Sequence, residues 1–434
     1  MWQQLVQFFR RLLGSGSSPQ PSPEQQKSPQ PSSHQQESPQ PSPEQQESLQ
    51  LSSDGQEIDV WFNQGNQQFD AEEFEEAITS FNNVIQLKPD YYEAWFNRGL
   101  ALLNIGRLEE AIASYNQAIK IKPDDYEVWV NRGLALLNLR RWEEAIASYN
   151  QAIKIQPNEC EAWNNRGLAL LNLRRWEEAI ASLNKAITIN PNDYEAWFNR
   201  GSVLLKLRRW EEAIASFDKA LTITPNFYLT WSNRGLGLLN LKRWEDAIAS
   251  FDKAINLKPD FHFAWSNRGL GLLNLKRWED AIISFDQALS IQSNDYKAWN
   301  NRGLALLNLE QPEEAIISFD KAIDIKYAEY KSWNNRGLAF LNLQQLEDAI
   351  ASFNKSIQIK PDNHKAWNNK GLALSKLRQL EEAIACYDKA IEINLEFYEA
   401  WHNRGNVLSM LGRFEEASAC FEKAKKIQPA GNRE

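Results

Sequence analysis

Asparagine recurs at one place every 34 residues: Asn63, Asn97, Asn131, Asn165, Asn199, Asn233, Asn267, Asn301, Asn335, Asn369 and Asn403. An amide side chain donates and accepts hydrogen bonds at once, which is the chemistry needed to hold a peptide backbone. The same amides could instead bond to one another, because half-buried polar groups find local partners. Catalytic chemistry has less support. The four histidines, His34, His262, His364 and His402, are scattered, and no HExxH, GxSxG or Walker glycine loop is present. The three cysteines, Cys160, Cys386 and Cys420, form no CxxC and no disulfide framework, which suits a reducing, cytoplasmic compartment. No enzyme, metal site or cofactor is expected. Over 434 residues the formal net charge is -9, which argues against a general nucleic-acid binder.

Three segments position these residues. Residues 1–13, MWQQLVQFFRRLL, place Trp2, Leu5, Val6, Phe9, Leu12 and Leu13 at helical spacing and predict a short amphipathic helix. Such a helix would lie in a membrane interface, dock on a partner or fold back as a tail. Residues 14–57 are dominated by decapeptides such as SPQPSPEQQK and predict a disordered linker with polyproline II character. Residues 58–431 form eleven repeats of 34 residues, from 58–91 through 398–431, followed by a tail at 432–434. No run of about 18 apolar residues would cross a bilayer.

Within each repeat, position 4 is tryptophan (Trp61 through Trp401), position 8 glycine (Gly65 through Gly405) and position 20 alanine (Ala77 through Ala417). Position 24 is Phe or Tyr in ten repeats and Leu183 in the other, position 27 is Ala in nine, and position 32 is Pro in eight. This pattern resembles the tetratricopeptide repeat. The residues agree with it, since apolar positions fall in two helical blocks parted by a polar turn. The expected fold is all-α: an α-solenoid of eleven helical hairpins forming a right-handed superhelix, with tryptophan as packing. Polar Gln67 and Gln68 in the first repeat, and Ser418 and Lys425 in the last, replace apolar or small residues and predict capped ends.

The resemblance implies that positions 2, 5, 6, 9, 12 and 13 line a concave groove. It makes Asn97, Asn131, Asn165, Asn199, Asn233, Asn267, Asn301 and Asn335 candidates for a partner-binding ladder, similar to that of O-GlcNAc transferases, whose catalytic domain has no counterpart here. Leu100, Leu134 and Leu168 at position 9 add a candidate apolar stripe. Position 2 runs from Asp59 and Glu93 through Glu195, then turns to Lys297, Lys331 and Lys365 before Glu399. Acids suit a helix's first turn, so the lysines are the better functional signal. The carboxylate clamp of chaperone-binding relatives is missing, since position 9 is mostly leucine.

A basic doublet beside tryptophan marks the turns of repeats three to seven, from Arg140-Arg141-Trp142 to Lys276-Arg277-Trp278. A solvated edge is the expectation. Position 7 is arginine in nine repeats and is expected to pair with the two acids that follow those tryptophans. The resulting reading is a non-catalytic scaffold or adaptor that binds a protein or peptide. The alternative is a membrane-surface assembly factor, with peripheral membrane contact through residues 1–13.

Overall fold

The computed structural model describes the backbone of residues 43–427 and the side chains from Gly55. The expected amphipathic helix, most of the linker, and the tail lie outside these residues. Twenty-two helices and no strands occur among the described residues. They divide into two compact blocks, Met1–Arg208 and Arg209–Glu434, with the boundary inside the fifth repeat.

The N-terminal block contains α1 (Pro43–Asp70), α2 (Phe74–Leu87), α3 (Tyr92–Asn104), α4 (Leu108–Ile121), α5 (Tyr126–Asn138), α6 (Trp142–Ile155), α7 (Cys160–Asn172), α8 (Trp176–Ile189) and α9 (Tyr194–Lys206). The C-terminal block contains α10 (Trp210–Ile223), α11 (Tyr228–Asn240), α12 (Trp244–Leu257), α13 (His262–Asn274), α14 (Trp278–Ile291), α15 (Tyr296–Asn308), α16 (Pro312–Ile325), α17 (Tyr330–Asn342), α18 (Leu346–Ile359), α19 (His364–Lys376), α20 (Leu380–Ile393), α21 (Tyr398–Met410) and α22 (Phe414–Ile427). Within each block, consecutive helices pair as hairpins and each hairpin packs on the next, as a solenoid requires. Helix α1 begins at Pro43, ahead of the repeat start at Ile58. Proline fits a helix's first turn, and none follows it before Pro89, so the helix extends back that far.

Small residues at fixed offsets set the hairpin spacing. Alanine at position 20 is buried in all eleven repeats. A Cβ on Gly303 would lie 2.6 Å from the Phe319 ring, and one on Gly99 2.5 Å from the Tyr115 ring. The absence of a side chain at position 8 therefore lets the position-24 ring lie flat against the first helix. Burying each such ring stabilises the fold by about 1.5–3 kcal/mol. Asp125 caps α5 by accepting from Glu127 N–H, and Asp193 and Asp295 cap α9 and α15 by accepting from the backbone N–H groups two and three residues on.

Each first helix ends at position 15 in the left-handed region. Glycine takes this place only at Gly106 (φ 80°) and Gly412 (φ 75°), while Arg140, Arg174, Arg208, Lys242 and Lys276 adopt φ of 58–61°. Arg141 N–H donates to Leu136 O and Arg140 N–H to Leu137 O, closing the helix in a Schellman motif. At the far end, Ser418 and Lys425 are exposed. Met410 and Phe414 are also exposed, at 48% and 70%, so the last hairpin's outer surface is not wholly polar. In the first repeat, Gln68 accepts from Ser80 Oγ at 2.7 Å, which ties it into its own hairpin.

Candidate partner-binding surface

From the second repeat on, tryptophan at position 4 ties its helix to the end of the preceding repeat. Trp95 Nε1 donates to Pro89 O at 2.9 Å, and the bond recurs from Trp265 to Pro259 and, where proline is absent, from Trp299 to Ser293. The arginine three residues later lies over the same ring, with Arg268 Cζ 5.9 Å from the Trp265 centroid. Its guanidinium then bridges two hairpins. Arg268 Nη1 donates to Ser284 Oγ at 2.6 Å, and Nε to Asp252 Oδ1 of the preceding repeat at 2.6 Å.

This corrects the expected partner of position 7. The acids after the turn tryptophan pair instead with position 16, three residues earlier, as in the two-pronged Arg141–Glu144 and Arg175–Glu178 pairs. On an open hairpin edge those acids are a short reach from the turn arginine, whereas the position-7 arginine lies deeper, against the previous hairpin. One member of each basic doublet is thus engaged. The other, at position 15, stays exposed in the turn.

With these faces occupied, a stripe of positions 2, 6, 9 and 13, spaced four, three and four apart on one helical face, stays at least partly open along the first helices, with Leu229 and Asn199 as its buried members. Positions 5 and 12, expected in the groove, fall partly into the core: Val130, Asn164, Phe198, Ser232 and Asn368 are buried at position 5, and Leu137, Leu239 and Leu341 at position 12. A single step around a helix turns a side chain by about 100°, which separates 5 from 6. Leu100, Leu134 and Leu168 are half-buried, as are Leu304, Leu338 and Leu372. The last three pack against buried residues while keeping an open edge.

An amide link from position 6 to position 5 of the preceding repeat runs through the last four repeats and occurs once in the N-terminal block. In the C-terminal block, Asn403 Nδ2 donates to Asn368 Oδ1 (3.1 Å), Asn369 to Asn334 (3.2 Å) and Asn335 to Asn300 (3.1 Å). Asn368, Asn334 and Asn300 in turn donate to Asn369, Asn335 and Asn301, each at 3.4 Å. The result is a head-to-tail amide zipper over repeats eight to eleven. Asn267 bonds back to Phe263 O, and Asn233 is half-buried. In the N-terminal block, Asn97 donates to Asn66 Oδ1 and Asn131 to Glu127 O. Asn199 is buried and donates to Asn164 Oδ1, while Asn165 is half-buried.

A second asparagine row occupies position 13. Asn104, Asn240, Asn274 and Asn308 are exposed, and each Nδ2 donates to the carbonyl of the position-9 leucine, at 2.8–3.0 Å. The repeated LLN ending of the first helix was its sequence signal.

Position 2 is acidic throughout the N-terminal block, whereas the C-terminal block has Leu229, Phe263, three lysines and Glu399 there. Burial, with Asp193 and Glu161 nearby, pushes the Glu195 carboxyl up to about 7. Burial also raises Glu161, helped by Glu127, and Asp193. Lys297, Lys331 and Lys365 are exposed, and none has a carboxylate partner among the described residues.

Family models for the tetratricopeptide repeat match residues 62–226, then 228–295, and then 296–430 with short gaps. The chain belongs to the tetratricopeptide-repeat family. Solved structures match parts of it. YrrB, described as having an unusual peptide-binding site, is 24% identical over 43% of this chain and 96% of its own, with a TM-score of 0.38. A tetratricopeptide-repeat protein from Parabacteroides merdae is 19% identical over 57% of this chain and 98% of its own, at 0.44. MamA is 21% identical over 37% and 93%, at 0.34. No curated protein matches the sequence.

Among the described residues of this tetratricopeptide-repeat chain, no group of three His, Cys, Asp or Glu side chains could hold a metal ion. Cys386 and Cys420 are buried free thiols, with Arg404 Nη1 donating to Cys420 Sγ at 3.0 Å where other repeats use serine. No described helix is long and apolar enough to cross a membrane.

Proposed function

We propose that this chain is a non-catalytic interaction scaffold that seats an extended peptide on the open stripe of its first helices. The observation that carries this is the half-buried position-9 leucine series. Every other face of those helices is packed or hydrogen-bonded, yet these apolar edges stay in contact with water. An apolar series left open in this way marks a surface that a partner covers. Asparagines flank it at positions 6 and 13, and the exposed position-13 amides, whose Nδ2 atoms bond to the leucine carbonyls, keep an Oδ1 that can accept from a backbone N–H. Lys297, Lys331 and Lys365 supply charge selectivity at its edge.

The test uses the full chain against an immobilised library of short peptides, with Leu134→Glu/Leu168→Glu and Leu304→Glu/Leu338→Glu as variants. Binding should fall at least tenfold in one of the two variants while helical content by circular dichroism is kept. Unchanged binding by both correctly folded variants would rule the groove out.

A further inference from the structure

The C-terminal block contains three consecutive repeats whose position-2 residues are Lys297, Lys331 and Lys365. They lie in the first turns of α15, α17 and α19, where the helix dipole disfavours cations. No described carboxylate neutralises them. Four lysines elsewhere, Lys122, Lys258, Lys326 and Lys389, reach a carboxylate, whereas the Lys297 ammonium lies 6.0 Å from the Tyr296 ring centroid. Three unpaired ammonium groups at the same place on adjacent helices form a row that attracts negative charge.

The zipper fixes the spacing of that row. The Asn335–Asn300 and Asn369–Asn334 bonds tie α17 to α15 and α19 to α17 directly, and Cα atoms of these helix pairs approach within 8 Å. Packed helices lie about 8–10 Å apart, so the lysines repeat at roughly that interval. A polyproline II segment rises about 3.1 Å per residue with three residues per turn, which returns the same face every 9 Å or so. A β-strand returns the same face every two residues, at roughly 6.7 Å, and drifts out of step after one contact.

We infer that the C-terminal block binds an acidic segment in polyproline II conformation, with Asp or Glu at every third position, one acid facing each of Lys297, Lys331 and Lys365. The backbone of that segment crosses the zipper row, and its other faces meet Leu304, Leu338 and Leu372. The inference rests on the groove reading above and adds the chemistry and register of the ligand. It also explains why the amides are bonded to each other. A self-paired row is neutral and rigid, so it holds the lysine spacing fixed and leaves recognition to charge and register.

Fluorescence anisotropy on the full chain tests this with three labelled twelve-residue probes. These are four Glu-Pro-Ala triplets, the same residues shuffled to break the three-residue period, and four Lys-Pro-Ala triplets. The first should bind at least tenfold more tightly than the second, and the third should not bind to this block. Lys297→Ala/Lys331→Ala/Lys365→Ala should remove that preference, and added salt should weaken it. Equal binding of the regular and shuffled acidic probes, or no change in the triple variant, would overturn the inference. Leu304→Glu/Leu338→Glu separates the two readings. If it abolishes peptide binding while the lysine variant does not, the groove stands and the acidic register fails. If neither variant alters binding, both fail.

Discussion

The two blocks are built from one repeat but secure it differently. In the C-terminal block the position-7 arginine meets an aspartate of the preceding repeat, as in Arg234–Asp218, Arg302–Asp286 and Arg336–Asp320, all at 2.6 Å. In the N-terminal block that acceptor is asparagine, as in Arg132–Asn116 at 2.8 Å, and the buried Nε atoms of Arg98 and Arg166 have no partner. Burial correspondingly lowers the pKa of Arg98, Arg132 and Arg166. The same fold thus tolerates an ionic or a neutral lock. The difference lies in how well each buried guanidinium is compensated, not in backbone architecture.

The largest expected effect breaks the ionic lock. Arg268→Gln leaves Asp252 and Ser284 without their shared donor and should destabilise the C-terminal block by about 3 kcal/mol, since hydrogen bonds to charged groups are the stronger ones. Arg166→Gln, whose Nε is already unpartnered, should lose roughly half as much. Chemical denaturation with hydrogen exchange, which locates the loss to one block, checks both; equal losses would erase the contrast.

Next comes overpacking at position 8. Gly303→Ala drives a Cβ into the Phe319 ring and should destabilise by about 2 kcal/mol. Gly167→Ala meets Leu183 Cγ at 2.7 Å, which a change of the leucine's χ1 rotamer relieves, and should lower the melting temperature less. A smaller gain is expected from converting one lock into the other. Asn150→Asp offers the orphaned Arg166 Nε an acceptor and should stabilise the N-terminal block by about 1 kcal/mol.

The smallest effect is electrostatic. Because the folded pKa of Glu195 lies near 7 and its ordinary value is 4.5, the folded block holds this proton more tightly. Its contribution is complete below about 4.5 and is lost as pH rises toward 7. Glu195→Gln should therefore flatten the decline of melting temperature across that window and raise it slightly at pH 8. An unchanged pH profile would place Glu195 in ordinary solvent.

The hairpins were legible because their contacts are local. Trp95, Gly99 and Ala111 sit at helical spacings that force two amphipathic helices, and the 34-residue period carries the rest. The partner of position 7 was not legible, since it depends on how near one hairpin's Asp252 comes to the next hairpin's Arg268. The Asp or Asn at position 25 in ten repeats was the available clue. The candidate stripe was half visible. Position 6 stood out by its invariance, but the doublets Asn300-Asn301, Asn334-Asn335 and Asn368-Asn369 signalled that its amides pair among themselves. Positions 5 and 12 drifted into the core because a family groove assigns faces, whereas burial is decided by each side chain's angle around its own helix.

The amide zipper also bears on how such an array can change its length. Because each link runs from one repeat's position 6 to the previous repeat's position 5, a whole repeat with asparagine at both places can be duplicated or excised without stranding an amide. Removal of residues 330–363 would bring Asn369 opposite Asn300, an identical join. Inserting a copy of residues 92–125, whose position 5 is Phe96, would leave one donor facing an aromatic ring. Repeats eight to ten, and repeat four with its Asn164-Asn165 pair, therefore meet this joining condition, and the remaining repeats do not.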